Sequence, residues 1–439
     1  MKKTIASLLV LALLFMCGCS ANSKTQDKAL IEMKNVSVDS RGYEIGLGKN
    51  QKVNRLVLEG RKLGDIAVEI YDEQNNLIYN QKSSSDQRFC AFNTVSASRL
   101  KLIVKDASAK FSKISAYYDT YETESFRVVS YVVADRILDK ANLYPQSFDV
   151  ITDVILFSCV SFDEKGELTL NGFENMDGET YLSTALKNLR EAIGSREVRI
   201  HLNILGPNAD EGIENWKEQM ANKAAKHSLA FANETLKEQI KALADRTGVD
   251  GIFFDYEYPI KQKYWKDFNL FLVQLDEYMP NKTIGLALAD WDAKLDKKAM
   301  SAVDMVEMME YDLFDENGDH SSFATAESGI TTFIKKGFDK SRLDLGVPFY
   351  GRPVDKSAYW YNYKDYSAVL GRFENKGFST EQNIDAYFDS YQRIYDKTAL
   401  ALERGIGGMM VWHYSCDDFE NPELSLFGAM KSCIESRTE

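Results

Sequence analysis

The stretch "VDGIFFDYEYP" at residues 249–259 carries an apolar run directly into two carboxylates, and this combination decides the fold. Alternate side chains of a β-strand point to the same face. Phe253, Asp255 and Glu257 therefore share one face, while the residues between them face the opposite way. Burying two carboxylates side by side is costly unless their surroundings compensate for it. The rest of the chain must supply that compensation.

Apolar strands of the same kind recur from about residue 126 onward, and helical patterns lie between most of them. Eight strands alternating with helices predict an α/β fold, the (β/α)8 TIM barrel. A doubly wound open sheet is the alternative, but no glycine-rich phosphate loop follows the first strand. The strand candidates are "RVVSYVVA", "DVITDVILFS", "VRIHLNIL", "GIFFDYE", "TIGLALA", "MVEMMEY", "LDLGVP" and "GGMMVW".

Helix signals surround the fourth strand on both sides. Gly248 is a natural C-cap for the helix that precedes it. We place the start of the helix after the seventh strand near Thr380. Apolar residues at helical spacing support the first two helices; they are Leu236, Ile240, Leu243 and Ala244 before the strand, and Trp265, Phe268, Leu272 and Leu275 after it.

The chain before the barrel has a different texture, with alternating strands such as "VNRLVLEG", "DIAVEIYD" and "RLKLIVKD" separated by polar turns. Such a pattern predicts a small antiparallel β-sandwich. We place it at residues 30–119, before a catalytic domain at 120–439. It resembles the galactose-binding-like jelly rolls that accompany many glycosidases. All five tryptophans lie beyond residue 200, so a spacer and a carbohydrate-binding module both remain open.

Residues 1–19 have a basic start, a short apolar stretch and small residues, which is the pattern of a secretory signal. "FMCGCS" resembles the lipobox of bacterial lipoproteins, in which cleavage precedes a cysteine that becomes lipidated, here Cys19. The alternative is ordinary cleavage a few residues later. Residues 20–29 then form a polar tether. We expect an extracytoplasmic protein that is lipid-anchored to a bacterial membrane.

Charge and cysteine content limit the partners of this chain. The formal net charge of −13 argues against nucleic acid, whose phosphates are bound mainly by Lys and Arg. No CxxC pair or histidine cluster indicates a metal site, so neither a metal nor a cofactor is expected. Spacing alone cannot show whether Cys416 and Cys433 pair, and we expect that they do not. We expect a monomer.

Other strand ends carry residues that suit the same site, because active sites of TIM barrels lie at the C-terminal ends of the strands. The sixth strand ends "MEYD", the seventh runs into "GVPFYGRP" and the eighth ends "GGMMVWHYSCDD". Singly, Tyr and Trp at such ends are commonly packing residues. Together they describe a pocket with paired carboxylates, a phenol and an indole, which suits a sugar ring. The candidate residues are Met309, Tyr311, Asp312, Tyr350, Arg352 and Trp412.

These motifs resemble glycoside hydrolase family 18, the chitinases and related endo-β-N-acetylglucosaminidases. "DGIFFDYE" is similar to the family pattern D-x-x-D-x-D-x-E, with Asp250 and Gly251 at its start and Glu257 at its end. "MEYD", "GVPFYGR", "GGMMVW" and "ILFSCVSFDEKGEL" match further strand ends of the family. The resemblance spans about residues 126–435.

The resemblance implies a retaining, substrate-assisted hydrolase of glycans that contain β-linked N-acetylglucosamine. Glu257 would be the general acid, and it needs a raised pKa for that role. The 2-acetamido oxygen of the substrate would attack the anomeric carbon. Asp255 would then hold the acetamido N–H, Tyr311 would donate to the acetyl oxygen, and Trp412 would form the floor of the site. Asp312 would contact a sugar hydroxyl, and Met309, Tyr350 and Arg352 would complete the substrate site.

Two departures from the family pattern are present. Phe253 replaces the second Asp, so we expect slower hydrolysis with an altered pH profile. At the third strand the family's S-x-G-G becomes "NILG", residues 203–206, which affects local backbone geometry. A catalytically silent sugar-binding lectin on the same fold is the alternative function, although such relatives typically lose the acid. A surface adhesin that uses its sandwich domain is a third reading.

The segment "SAYWYNYKDYS" at residues 357–367 supplies aromatic side chains for a stacking rail along flanking sugars. The alternative is that several of them simply pack this loop onto the barrel. We expect two of the five to stack on sugars; they are among Tyr359, Trp360, Tyr361, Tyr363 and Tyr366. Chitin, peptidoglycan-like glycans and the N-glycan core all remain open as substrates, since specificity resides in loops.

Overall fold

The structure is a computed structural model that describes residues 29–37, 42–61, 66–83, 89–104 and 109–439. The predicted signal segment, Cys19 and most of the predicted tether lie outside these residues. None of the helices within the described ranges is long and apolar enough to span a bilayer.

The first part of the described chain is an antiparallel sheet with the strand order β1-β6-β2-β5-β3-β4. Its strands are β1 (Ile31–Ser37), β2 (Tyr43–Arg61), β3 (Ile66–Tyr71), β4 (Leu77–Ser83), β5 (Phe89–Val104) and β6 (Lys110–Tyr117). The predicted sandwich is therefore one continuous sheet, because the long strands β2 and β5 run through both of its halves. β2 pairs with β6 only from Arg55 onward, and the register between β2 and β5 shifts on either side of Val53. The sheet encloses its own apolar core.

The second part is the predicted TIM barrel, and all eight strand predictions are confirmed. Its parallel strands follow the order β10-β11-β12-β13-β14-β19-β7-β8, and a β8–β10 pairing closes the barrel. The short β9 pairs antiparallel with β8. The strands are β7 (Arg127–Val133), β8 (Asp153–Phe162), β9 (Leu168–Leu170), β10 (Arg199–Leu205), β11 (Gly251–Asp255), β12 (Thr283–Leu288), β13 (Met305–Met308), β14 (Leu343–Pro348) and β19 (Gly408–Trp412).

Helices cover the outside of the barrel, and both helix predictions around β11 are confirmed. Gly248 ends the preceding helix with φ 66°, the left-handed conformation that glycine adopts without steric cost. The helices are α1 (Gly178–Ile193), α2 (Trp216–Phe231), α3 (Glu234–Thr247), α4 (Gln262–Tyr278), α5 (Lys297–Ala302), α6 (Phe323–Lys336), α7 (Ser367–Leu370), α8 (Tyr391–Arg404) and α9 (Leu426–Glu435).

The helix expected near Thr380 was placed wrongly, because α8 begins only at Tyr391. Between β14 and α8 the chain forms a small antiparallel sheet of β15 (Tyr350–Pro353), β16 (Tyr361–Asn362), β17 (Lys376–Ser379) and β18 (Ile384–Tyr387). Ser379 pairs with Ile384, so the residues between them form a hairpin turn. Asn383 adopts φ 54° there, a left-handed conformation that asparagine tolerates better than most residues.

The predicted alternation of faces along β11 is confirmed. Phe253 lies in the apolar cluster inside the barrel, whereas Ile252 and Phe254 belong to the larger core between strands and helices. Within the described ranges, Cys416 and Cys433, for which no disulfide was expected, are buried free thiols.

Ionisable side chains fill the opposite, N-terminal end of the barrel interior. Asp153 accepts a hydrogen bond from His201 at 2.8 Å, and Arg127 pairs with Asp344 at 2.9 Å. Glu307 lies on the strand next to Asp344, in register with it, and both side chains are fully buried. Burial and the Asp344 charge raise the pKa of Glu307 well above its usual range. The neutral form of Glu307 is therefore favoured in the folded protein.

The raised pKa of Glu307 makes the stability of the barrel pH-dependent. A carboxyl group with a raised pKa in the folded state contributes stability at low pH and loses it as pH rises through that value. Glu307→Gln keeps the shape of the neutral side chain. We expect its free energy of unfolding, relative to that of the wild type, to rise by at least about 1 kcal/mol between pH 5 and pH 8. Urea unfolding at both pH values measures this difference. An equal difference at the two pH values contradicts the assignment.

Candidate active site

A cavity of about 350 Å³ opens at the C-terminal ends of the barrel strands, as expected for this fold. β11 ends at Asp255 and β13 at Met308, so the residues that follow each strand belong to loops over the barrel mouth. Most of the predicted site residues line this cavity; they are Asp255, Glu257, Met309, Tyr311, Asp312, Tyr350 and Trp412.

Asp255 and Glu257 lie side by side in the cavity, and their carboxyl groups share a hydrogen bond. The Oδ1 atom of Asp255 is buried without a further partner among the described residues. Burial, followed by the neighbouring Glu257 charge, raises the pKa of Asp255 well above its usual range. The protonated form of Asp255 is thereby favoured, and in that form its carboxyl group donates a hydrogen bond to Glu257. One proton held between the two side chains offsets the repulsion between the adjacent acids.

Two phenols complete the surroundings of the acid pair. The Tyr258 hydroxyl is hydrogen-bonded to Glu257, and burial raises the pKa of Tyr258 above its usual range. Burial, followed by the Asp255 charge, also raises the pKa of Tyr311 well above its usual range. Both hydroxyl groups stay protonated, so Tyr311 enters the cavity as a hydrogen-bond donor.

Asp312 is held by residues from the next strand and its loop. Its Oδ1 accepts hydrogen bonds from the Tyr350 hydroxyl at 2.9 Å and from Arg352 at 2.9 Å. Burial opposes ionisation, but the adjacent His320 side chain and the Arg352 charge keep the pKa of Asp312 below its usual value. Arg352 does not line the cavity itself. It acts on the site by fixing an ionised Asp312 at its rim.

Trp412 ends the eighth barrel strand and forms an aromatic surface inside the cavity. Its ring packs against Phe157 at 5.0 Å and against Tyr131 at 5.3 Å between centroids. Both neighbours come from the first two barrel strands. The strand order therefore places Trp412 on the opposite side of the barrel mouth from β11 and Glu257.

The first two motif residues lie at the other end of β11 and are not part of the cavity. The Asp250 carboxylate accepts a hydrogen bond from the backbone N–H of Ile200 at 2.8 Å. A Cβ on Gly251 would lie 2.4 Å from the carbonyl oxygen of Thr283. Both residues therefore connect β11 to its neighbouring strands and have no contact with a ligand in the cavity.

Phe253 lies inside the barrel directly before the acid pair. Its ring occupies the space above Gly285, where a Cβ would come within 2.0 Å of it, and contacts the His201 ring at 5.0 Å. The Tyr131 hydroxyl lies in the same interior cluster, and Asn203 lies on the neighbouring strand. Within the part of the chain that the structure describes, both side chains are buried without hydrogen-bond partners. An apolar ring thus adjoins Asp255, and the expected change of pH profile stays a prediction.

The aromatic segment 357–367 divides into exposed and packed residues. Tyr359 and Trp360 are 43% and 41% exposed, whereas Tyr361 and Tyr363 are buried. Trp360 contacts the Tyr350 ring at 5.0 Å, which brings it to the edge of the cavity.

Sequence reasoning missed three aromatic residues on the β10–β12 side of the mouth. Tyr258 and Trp291 line the cavity, and their rings are 4.6 Å apart. Trp216, at the start of α2, continues this surface with its centroid 6.3 Å from that of Trp291. Trp291 follows the fifth strand closely, a position that could have revealed it. The position of Trp216 within a long loop and helix start carries no such signal.

A family model, that of glycosyl hydrolases family 18, matches residues 113–417, a range that contains all eight barrel strands. The chain belongs to this family. Among curated proteins, it is 24% identical to a probable chitinase 2 of Drosophila melanogaster over 47% of this chain and 55% of the fly protein. It is also 24% identical to mouse chitotriosidase-1 over 30% of this chain and 38% of that protein. The matched part thus spans about half or less of these relatives.

Solved structures of family 18 proteins share the fold. A chitinase from the chitin utilization locus of Flavobacterium johnsoniae aligns with a TM-score of 0.55 and 21% identity over 72% of this chain and 96% of its own. A chitinase from Bacteroides thetaiotaomicron aligns with a TM-score of 0.55 and 18% identity over 71% of this chain and 97% of its own. YKL-39, solved in the presence of chitooligosaccharides, aligns with a TM-score of 0.53 and 16% identity over 70% of this chain and 99% of its own.

The raised pKa of Asp255 in this family 18 site has a spectroscopic consequence. We expect the infrared difference spectrum of wild type minus Asp255→Asn at pH 7 to contain the C=O stretch of a protonated carboxylic acid. Glu310→Gln is a matched control, because burial raises the pKa of Glu310 to about 8 and its own band should titrate there. A difference spectrum that contains only ionised carboxylate bands contradicts the shared proton.

Proposed function

We propose that this family 18 protein is a retaining, substrate-assisted glycosidase that cleaves glycans containing β-linked N-acetylglucosamine. The observation that carries this proposal is the hydrogen-bonded pair of Asp255 and Glu257, which share a cavity with Tyr311 and Trp412. A raised pKa in a cleft beside a second carboxyl group is typical of acid–base machinery.

The roles follow from what each group can donate or accept. Glu257 takes up the proton that it shares with Asp255, donates it to the leaving oxygen and later activates water, and Asp255 is left as a carboxylate. Asp255 orients the acetamido group, whose carbonyl oxygen attacks the anomeric carbon so that configuration is retained. The protonated Tyr311 hydroxyl donates to the acetyl oxygen, and the exposed face of Trp412 supports the sugar ring. The ionised Asp312 accepts a hydrogen bond from a sugar hydroxyl.

A silent lectin is the competing function on the same fold. A lectin needs the aromatic surfaces but has no use for an acid that is kept hydrogen-bonded to a protonated neighbour. In this chain Asp255, Glu257 and Tyr311 are all present and line one cavity. Holding two acids together in one cavity costs stability, and their paired geometry is the one that acid–base chemistry requires.

Exposed aromatic residues on both sides of the acid pair support a chain of sugars as the ligand. Trp216 and Trp291 are 49% and 50% exposed above the β10–β12 side, and Trp360 lies above the β14–β19 side. These two groups face each other across the mouth, because strands three to five of an eight-stranded barrel lie opposite strands seven and eight. An extended oligosaccharide therefore fits this site better than a single sugar. Chitin-type chains and the N-glycan core both meet this requirement.

We further propose that the mature protein lies outside the cytoplasm, anchored through a lipid on Cys19, as the lipobox-like segment "FMCGCS" indicates. Palmitate labelling in a bacterial host, compared with Cys19→Ala, reports on this anchor.

Replacing the proposed general acid tests the enzyme hypothesis directly. We expect Glu257→Gln to lower kcat on labelled chitooligosaccharides by about 10²- to 10⁴-fold, since a positioned general acid contributes that much. Chain-length analysis of products, together with a panel of N-glycans, measures activity and narrows the substrate. Glucose polymers that lack the acetamido group should not be cleaved. Binding without hydrolysis by the wild type would favour the lectin.

Removing one exposed indole tests the extended site. We expect Trp291→Ala to weaken the affinity for a chitooligosaccharide of five units by about three- to tenfold, the worth of one aromatic contact. Titration in the Glu257→Gln background measures binding without turnover. Leu229→Ala is the control, because this α2 residue is 65% exposed and does not line the cavity. Equal affinity of the Trp291 and Leu229 variants would contradict the extended site.

A further inference from the structure

Helix α8 is buried along almost its whole length, which is unusual for a helix on the outside of a barrel. Every residue from Tyr391 to Leu402 is buried. An outer helix normally exposes a polar face to water. In this protein polar and charged side chains of α8 are enclosed between two parts of the chain, so each of them needs a bonded partner.

One stripe of α8 binds strand β5 of the N-terminal sheet. The Asp396 carboxylate accepts the backbone N–H of Ala91 at 2.7 Å, and Gln392 donates to the carbonyl oxygen of the same residue at 2.7 Å. The Tyr395 hydroxyl donates to the Asn93 side chain at 2.9 Å. These residues satisfy backbone groups of the sheet as a neighbouring strand would, so the sheet and α8 are firmly joined.

The adjacent stripe of α8 binds the loop at the active site. Arg393 makes a two-bond contact with the Asp319 carboxylate at 3.0 and 2.6 Å. Lys397 donates to the carbonyl oxygen of Ser321 at 2.6 Å, and the Ser321 hydroxyl donates to the carbonyl oxygen of Glu310 at 2.7 Å. Arg393 and Lys397 lie one helical turn apart, whereas their partners lie at the far end of a single loop.

That loop, residues 309–321, carries two of the proposed site residues. Tyr311 and Asp312 both line the cavity. Asp312 adopts φ 57°, a strained conformation for a residue other than glycine, which persists only where its surroundings enforce it. Its backbone N–H donates to Nε2 of His320 at 3.0 Å. The end of the loop that contacts α8 is therefore hydrogen-bonded to the end that carries Tyr311 and Asp312.

The sheet also reaches the end of this loop directly. The Phe89 ring of β5 stacks on Phe323, the first residue of α6, with centroids 5.2 Å apart. Strand β5 thus contacts both α8, which is hydrogen-bonded to the loop, and Phe323, which follows the loop in the chain.

We propose that the N-terminal sheet is a positioning element of the active site, which acts through helix α8. Arg393 and Lys397 are positioning residues in this arrangement, and Asp396 connects α8 to the sheet through its hydrogen bond with Ala91. The sheet sets the placement of α8, and α8 sets the placement of Tyr311 and Asp312. This inference rests on the proposed function for its catalytic consequence, but not for its structural one.

Paired variants on the two sides of α8 test this proposal. Asp396→Ala removes the bond to the sheet, and Asp319→Asn removes the charge on the loop. We expect both to speed hydrogen exchange of backbone amides in 309–321 at least about threefold, and to lower kcat by about three- to tenfold, because small misplacements of reacting groups are costly. Asp319→Glu, which retains the charge, should recover part of kcat.

Ser436→Ala is the matched control, because Ser436 bonds Thr94 of the same sheet at 2.7 Å but lies next to α9 and has no contact with the loop. It should leave exchange in 309–321 and kcat unchanged even where thermal stability falls. Exchange in 309–321 that stays at the wild-type rate in both test variants, or that changes equally in Ser436→Ala, overturns the proposal. If the wild type hydrolyses no glycan, the exchange data still decide the coupling, so the two failures are distinguishable.

Discussion

Two acids that must share a proton are the constraint on which the structure of the active site depends. Asp255 and Glu257 lie next to each other because the side-chain period of a strand puts both on the interior side of β11. In water they would both ionise and repel each other. At the barrel mouth burial favours a neutral Asp255, which then donates to its neighbour. Tyr258 and Tyr311 stay protonated in the same surroundings. Burial thereby lowers the charge at the barrel mouth and leaves protonated groups that can donate hydrogen bonds in one cavity.

Buried carboxyl groups also lie in the barrel interior below this pair, where they have a structural role. At the N-terminal end Asp153 and Asp344 are compensated by His201 and Arg127, and burial favours the neutral form of Glu307. Between these side chains and the acid pair, the Phe253 ring fills the space over Gly285. The Phe253 ring therefore lies between the structural ions and the proposed site.

The arrangement around α8 changes how the N-terminal sheet is understood. A spacer or a separate sugar-binding module would need few buried polar contacts with the barrel. In this protein charged side chains of α8 are enclosed between the two, with backbone groups of β5 as partners on one side and the loop of Tyr311 on the other. Removing such buried partners is expensive, which makes the two parts depend on each other. The sheet and barrel therefore form one structural unit around the proposed site.

The sequence by itself determined the eight barrel strands, the face of each residue in β11 and the family motifs at the strand ends. These features depend on short-range periodicity and fixed spacing, which a chain displays locally. It did not reveal the hairpin at Asn383, the aromatic surface of Trp216 and Trp291, or the burial of α8. Each of these is created by contacts between segments that lie far apart in the chain. Only long-range packing brings such segments together, and the burial that it creates shifts the pKa values of the acids.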